Sequence, residues 1–172
     1  MIPLLGIAAW SGTGKTTLLK KLIPLLKIRG IRPGLIKHTH HDVDVDTPGK
    51  DSYELRKAGA GQVIVANQNR WALMTETPEN EALNLQFLAS RMDEALLDII
   101  LVEGFKHDAI PRILLHRQGM GKTVTPDSLV IAVASDGEPG LQIPQLDLND
   151  ADKIADFIVQ WLKDEYPARS VS

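Results

Sequence analysis

Cysteine is absent from all 172 residues. That excludes disulfide staples and thiolate metal sites, and it fits a reducing compartment. No apolar stretch reaches the ~20 residues that a membrane-spanning helix needs. Charge of either sign is not in excess: 19 Lys and Arg against 22 Asp and Glu leave a formal −3. No global field therefore draws the chain to nucleic acid or to an anionic membrane. The first residues carry no basic leader and run straight into a glycine-bearing loop, so no secretory signal is expected and the expected location is cytoplasmic. Repeats and low-complexity linkers are missing too. With 44% hydrophobic and 24% charged residues, the expectation is one globular domain over residues 1–166 and a short flexible tail, 167–172.

What is present is concentrated in Ala9-Trp10-Ser11-Gly12-Thr13-Gly14-Lys15-Thr16-Thr17. An apolar run from Met1 to Ala8 precedes it as a strand, and a helical pattern follows. That is the setting of a phosphate-binding P-loop. Glycines at 12 and 14 let successive N–H groups curl into a nest for a phosphate chain, and the helix start adds free donors and its positive dipole end. The expected nucleotide-binding residues are Ser11, Gly12, Thr13, Gly14, Lys15, Thr16 and Thr17. Lys15 supplies the charge that stabilises the outer phosphates, the one catalytic role assigned, and the Thr16 hydroxyl is placed for Mg²⁺. Ala9 replaces the first glycine of the motif, a small change where residues 11–16 build the nest. A plain Gly-rich turn is the competing reading, and it leaves Lys15-Thr16-Thr17 without a reason.

Lys15 to Arg29 carries apolar residues at 18, 19, 22, 23 and 26, a helical stripe. Pro24 interrupts it at a cost of ~3 kcal/mol relative to Ala, and Gly30 offers a stop. Residues 33–37 read as a second strand. Asp51 to Ala58 reads as a helix opened by a capping box of Asp51 and Glu54. Gln62–Ala66 and Trp71–Thr75 read as a hairpin across Asn67–Arg70. Thr77-Pro78 signals a helix to about Met92. Ile99–Val102, Ile113–Leu115 and Leu129–Val133 have the composition of strands buried on both faces. Asn149 is the expected cap of a last helix with apolar positions 151, 154, 155, 158, 161 and 162. Alternating strands and helices predict an α/β, P-loop NTPase-like fold: a mainly parallel sheet with helices on both faces, plus an inserted antiparallel hairpin. The hairpin, about 62–75, is expected at a sheet edge, where a second copy of the chain would cover it.

Glu103 ends the buried run 99–102, so its carboxylate points to the rim that holds the P-loop and is expected to share Mg²⁺ with Thr16. The alternative is a solvent-facing charge at a strand end. Asp98, at the other end of that run, reads as a cap or turn residue. Residues 38–46 hold His38, His40, His41, Asp42, Asp44 and Asp46. Imidazoles and carboxylates could ligate a transition metal, but no established zinc spacing is present, and the preferred reading is a polar loop in which Asp46 meets Mg²⁺ or its water. Lys50 is a candidate phosphate contact or merely a solvated lysine. Gly119-Met120-Gly121-Lys122-Thr123 imitates a second phosphate loop, but His116 stands at its first position. It reads as a solvated connection, with closure over a ligand as the alternative. The N-K-x-D guanine motif is absent. Asp136, leaving a late strand, would suit the N1–H and N2–H donors of guanine, although Asp136-Gly137 is equally a turn dipeptide.

Taken together, the segments WSGTGKTTL, IKHTHHDVDVDTPGKDS, Glu54–Ala60 and Ile100–Lys106 resemble the MobB proteins, adaptor GTP-binding proteins of molybdopterin-guanine dinucleotide biosynthesis. The likeness spans residues 3 to about 160. It implies a P-loop α/β fold, an intertwined homodimer, GTP and Mg²⁺ as ligands, and feeble hydrolysis. It also implies partnership with the guanylyltransferase that attaches GMP to molybdopterin, with molybdopterin itself as a further ligand. Related dimeric ATPases start their loop with a lysine that reaches a partner's nucleotide; Trp10 stands there instead. No arginine finger is assignable either, so slow hydrolysis is expected. Two other readings stay open: a small-molecule kinase that transfers the γ-phosphoryl group, and a passive dimeric scaffold.

Overall fold

A computed structural model describes residues 1–39, 44–77, 83–121 and 123–169. The elements follow in the order β1 (Leu4–Ala9), α1 (Lys15–Ile28), β2 (Pro33–Lys37), α2 (Asp51–Lys57), β3 (Gln62–Ala66), β4 (Trp71–Thr75), α3 (Leu85–Ser90), β5 (Ile99–Glu103), β6 (Arg112–His116), β7 (Val130–Ser135), β8 (Gln145–Asp147) and α4 (Ala151–Glu165). A 3₁₀ turn, Pro167–Arg169, follows. The chain forms two compact units, one from Met1–His38 together with Asn84 onward, the other from Thr39–Leu83.

The larger unit is built on a six-stranded sheet of order β2-β5-β1-β6-β7-β8, with every neighbouring pair parallel. Side chains alternate across it, so each buried strand feeds two cores. Leu5 and Ile7 of β1, Leu101 of β5 and Ile113 and Leu115 of β6 pack on one face against Leu18, Leu22 and Leu26 of α1 and Ile154, Ile158 and Leu162 of α4. Leu4, Ile100 and Val102 point to the other face and meet Leu85 and Ala89 of α3, Phe105 and Ile110. Each such Leu or Ile side chain, once fully buried, contributes about 1.5–3 kcal/mol. Helix α1 continues through Pro24, which lies on its exposed side between the buried Leu22 and Leu26. Arg29 clips the end of α1 to α4 through Asp156 (2.7 Å) and Asp152 (3.1 Å), and these bonds hold its pKa above the ordinary arginine value, Asp156 first.

The smaller unit contains α2 and the β3–β4 hairpin. The hairpin pairs antiparallel over five rungs, Gln62↔Thr75 to Ala66↔Trp71. The Asn67 side chain closes its turn by accepting from the backbone N–H of Asn69 and Arg70.

Several expectations need correction. The hairpin is a two-stranded sheet of its own, not an edge of the main sheet. The helix expected from Thr77-Pro78 starts only at Leu85. Residues 78–82 lie outside the described residues, residues 83 and 84 are not helical, and the cap is Asn84, whose side chain accepts from Phe87 N. Helix α2 has Lys50 at its cap without a side-chain bond, while Glu54 reaches back to Gly49 N at 3.2 Å. In α4 the cap is Asp150, not Asn149, with its carboxylate on Lys153 N. Strand β8 is an addition, too short and too polar to stand out by alternation. Asp98 is an anchor as well as a turn residue: it accepts from Arg32 N, Nε and Nη2 and raises the Arg32 pKa.

Candidate phosphate-binding site

The segment between β1 and α1 turns on two glycines with positive φ, Gly12 at 83° and Gly14 at 99°. Side chains adopt that region with difficulty, so glycine is required. Gly14 is the N-cap of α1 and offers no side-chain bond, and the first turn contains no acid. The first N–H groups of α1 and the dipole's positive end thus remain for an anion. Thr13 is buried and braces the loop from below, with its N–H and hydroxyl both donated to Trp10 O, at 3.2 and 2.8 Å. Ser11, Thr16 and Thr17 are exposed at the mouth.

Strand β1 lies directly beside β5, so the carboxyl ends of both reach one rim. Lys15 Nζ stands 3.1 Å from Glu103 Oε1, and Lys37 Nζ stands 3.7 Å from the same oxygen. The Glu103 side chain is only 14% exposed. Two ammonium groups already neutralise this shielded carboxylate, so a divalent cation could use it only once a lysine turns away; as a hard oxygen donor it would then suit Mg²⁺, which takes one or two carboxylates and keeps its waters.

Beyond Glu103 the chain bends sharply. Gly104 has φ 91°, and a Cβ there would lie 2.7 Å from His38 Cβ. Phe105 has φ 51°, the only positive value for a non-glycine among the described residues. Such a residue stores roughly 1–3 kcal/mol of strain. The ring is buried, 4.8 Å from that of His38.

The loop after β6 is exposed at residues 118, 119, 121 and 123, as a solvated connection would be, but it is anchored to the phosphate turn at Arg117 and Met120. Arg117 Nε donates to Thr13 O at 3.2 Å, and Met120 Sδ lies 3.7 Å from the Thr13 hydroxyl oxygen. The loop lies on the phosphate turn; Lys122 is outside the described residues. Asp136, at the end of β7, pairs with Arg117 Nη1 (3.1 Å) and accepts from Gln118 N (2.7 Å). Both its oxygens are engaged, each with a lone pair left. Neither Lys37 nor Arg117 was identified from sequence. The register Lys37↔Glu103 places the first, and the neighbourhood of β6 and β1 places the second.

Asp46 belongs to the smaller unit, where Arg56 gathers Asp44 (2.7 Å), Asp46 (2.8 Å) and Glu76 (2.8 Å). These bonds, Asp46 first, raise the Arg56 pKa above its ordinary value. Asp46 Oδ2 is buried without a hydrogen-bond partner among the described residues. His40, His41 and Asp42 lie outside the described residues. Among the described residues, no group of three or more His, Asp or Glu could hold a metal ion. None of their helices is long and apolar enough to cross a membrane.

Comparison with known proteins gives a consistent picture. Residues 4–136 match the family model MobB, molybdopterin guanine dinucleotide synthesis protein B. The chain is 68% identical over 166 residues to the molybdopterin-guanine dinucleotide biosynthesis adapter protein of Escherichia coli K12, covering 95% of each chain. It is 52% identical to the Haemophilus influenzae protein of that name, covering 98% of this chain and 94% of the other. Among solved structures, the crystal structure of a molybdopterin-guanine biosynthesis protein B superposes with a TM-score of 0.72 at 24% identity, over 93% of this chain and 99% of that one. A MobB homolog from Bacillus stearothermophilus gives 0.67 at 21%, over 94% and 98%.

Proposed function

The chain belongs to the MobB family, and on that premise we propose that it is a GTP-binding adaptor of molybdopterin-guanine dinucleotide biosynthesis that assists a partner guanylyltransferase. The observation that carries the nucleotide reading is the 3.1 Å contact between Lys15 and Glu103, which joins the phosphate turn to the end of β5. Triphosphate oxygens compete with Glu103 for the Lys15 ammonium; once Lys15 turns to them, the carboxylate is available to a metal. The amides of residues 12–16 hold the phosphates, and Thr16 and Glu103 hold Mg²⁺, which when bound neutralises part of the phosphate charge. Asp136 accepts the guanine N–H donors through its remaining lone pairs, with Arg117 fixing its orientation.

Hydrolysis is weak in this reading. Arg117, which touches the loop, has Nε on a backbone carbonyl and Nη1 on Asp136. A homodimer forms through the hairpin, where Ile64, Leu73 and Trp71 share a solvent-exposed face. Asp46 is engaged by Arg56 within the smaller unit and is assigned no metal.

Titration of GTP and ATP with Mg²⁺, followed by phosphate release with and without candidate acceptors, tests the proposal. GTP-preferring binding with slow release is expected. Acceptor-dependent consumption would replace the adaptor with a small-molecule kinase, and absence of binding would reduce the chain to a scaffold.

A further inference from the structure

The phosphate site leaves one feature unused: a cavity of about 250 Å³ on the second face of the sheet, over β1 and β6. Its floor is nearly bare, because Gly6 and Ala8 alternate with the buried Leu5 and Ile7 and so point into it. Apolar walls come from Phe105, Ile110, Leu114 and Val130. The strained turn at 104–105 aims the Phe105 ring at this wall, a placement that phosphate binding does not need.

The rim is polar and unbalanced. Lys15, Lys106 and Arg112 border the cavity, and Asp127 is its one acid. Arg112 braces the wall by donating to the carbonyls of Lys106 (3.0 Å) and Asp108 (2.8 Å). Asp127 is oriented by accepting from Leu129 N at 2.9 Å through Oδ1, and its other lone pairs can take ring N–H donors. The volume falls just below the ~300–1,000 Å³ of small-molecule sites, so one ring system fits and a dinucleotide does not.

We propose that this cavity binds a planar, N–H-bearing bicyclic heterocycle with an anionic phosphate tail, the chemistry of a pterin phosphate, beside the nucleotide and with Lys15 bordering both sites. Apolar walls enclose the ring, Asp127 accepts its N–H groups, and the Lys106 ammonium at the rim faces the anion. Guanine mononucleotides share this chemistry; the choice of a pterin rests on the adaptor reading.

The test titrates fluorescent, anionic pterin-6-carboxylate into the full chain at saturating GTP and Mg²⁺, with GTP affinity measured on the same preparation. Pterin binding is expected to persist under these conditions. Leu114→Trp, which fills the cavity from its wall, and Asp127→Asn, which removes the acceptor charge, should each weaken it by about tenfold or more and leave GTP affinity within about twofold. If Leu114→Trp does not fold, Asp127→Asn decides alone. Four results would overturn the proposal: no pterin binding, binding that GTP abolishes, binding that Asp127→Asn leaves unchanged, or displacement of the pterin by GMP at equal concentration. Failure of GTP to bind would count against the nucleotide reading, while variant-sensitive pterin binding would still uphold the cavity.

Discussion

In the larger unit, Ile99, Ile100 and Leu101 of β5 have no exposed surface at all, whereas Ile64 and Trp71 on the hairpin are 64% and 69% exposed. Helices α1 and α4 close one face of the first sheet, and α3 covers part of the other at β5. The second sheet leaves apolar side chains exposed on both faces, most on the one with the Ile64↔Leu73 and Ala66↔Trp71 rungs, with Val65 exposed on the other. Charge follows the opposite pattern. The larger unit holds Lys15 and Lys37 on one shielded carboxylate at its rim, whereas the smaller unit spends a buried Arg56 on three acids. One unit is thus self-sufficient in packing and presents a site; the other is held by an ion cluster and presents a surface. Apolar faces of this kind on single chains mark interaction sites.

The contrast can be broken at several points. Lys15→Ala should have the largest effect, weakening Mg·GTP by about 100-fold, because backbone amides cannot replace a charge-assisted phosphate contact. Calorimetric titration checks it, and the thermal midpoint should barely move. Next, Ile64→Ser with Trp71→Ser should weaken self-association by about 30-fold or more, the scale of a lost aromatic anchor. Sedimentation velocity would show it, with nucleotide affinity unaltered if the two units divide their work as described. Arg56→Leu should act more locally still. It leaves Asp44, Asp46 and Glu76 facing one another, so amide exchange across residues 62–75 should accelerate by about tenfold while β1, β5 and α4 keep their protection.

How much of this was legible beforehand depends on distance along the chain. The P-loop could be read because β1, the glycines and α1 are contiguous, and the four-residue run before Glu103 marked a strand buried on both faces. The Thr77-Pro78 signal misled because Asn84-Leu85-Gln86-Phe87 carries a second, equally local cap that packing at Leu85 and Ala89 selects. The proximity of Lys37 to Glu103 depends on the order β2-β5-β1, and that of Arg117 to Thr13 on β6 lying beside β1. These pairings join residues 66 and 104 positions apart, and no local pattern encodes them. Asp46 was assigned from its neighbourhood alone; Arg56, its actual partner ten residues on, could be found only once α2 was in place.

The central claim is that Glu103 serves a metal shared with the phosphates held by Lys15 and Thr16. Its most direct test compares GTP affinity with and without Mg²⁺ in the unaltered chain and in Glu103→Gln. The account predicts that Mg²⁺ tightens binding in the former by about tenfold and hardly at all in the variant. Without Mg²⁺ the variant should bind GTP at least as well, since Lys15 has lost its competing carboxylate. An equal gain from Mg²⁺ in both proteins would contradict it.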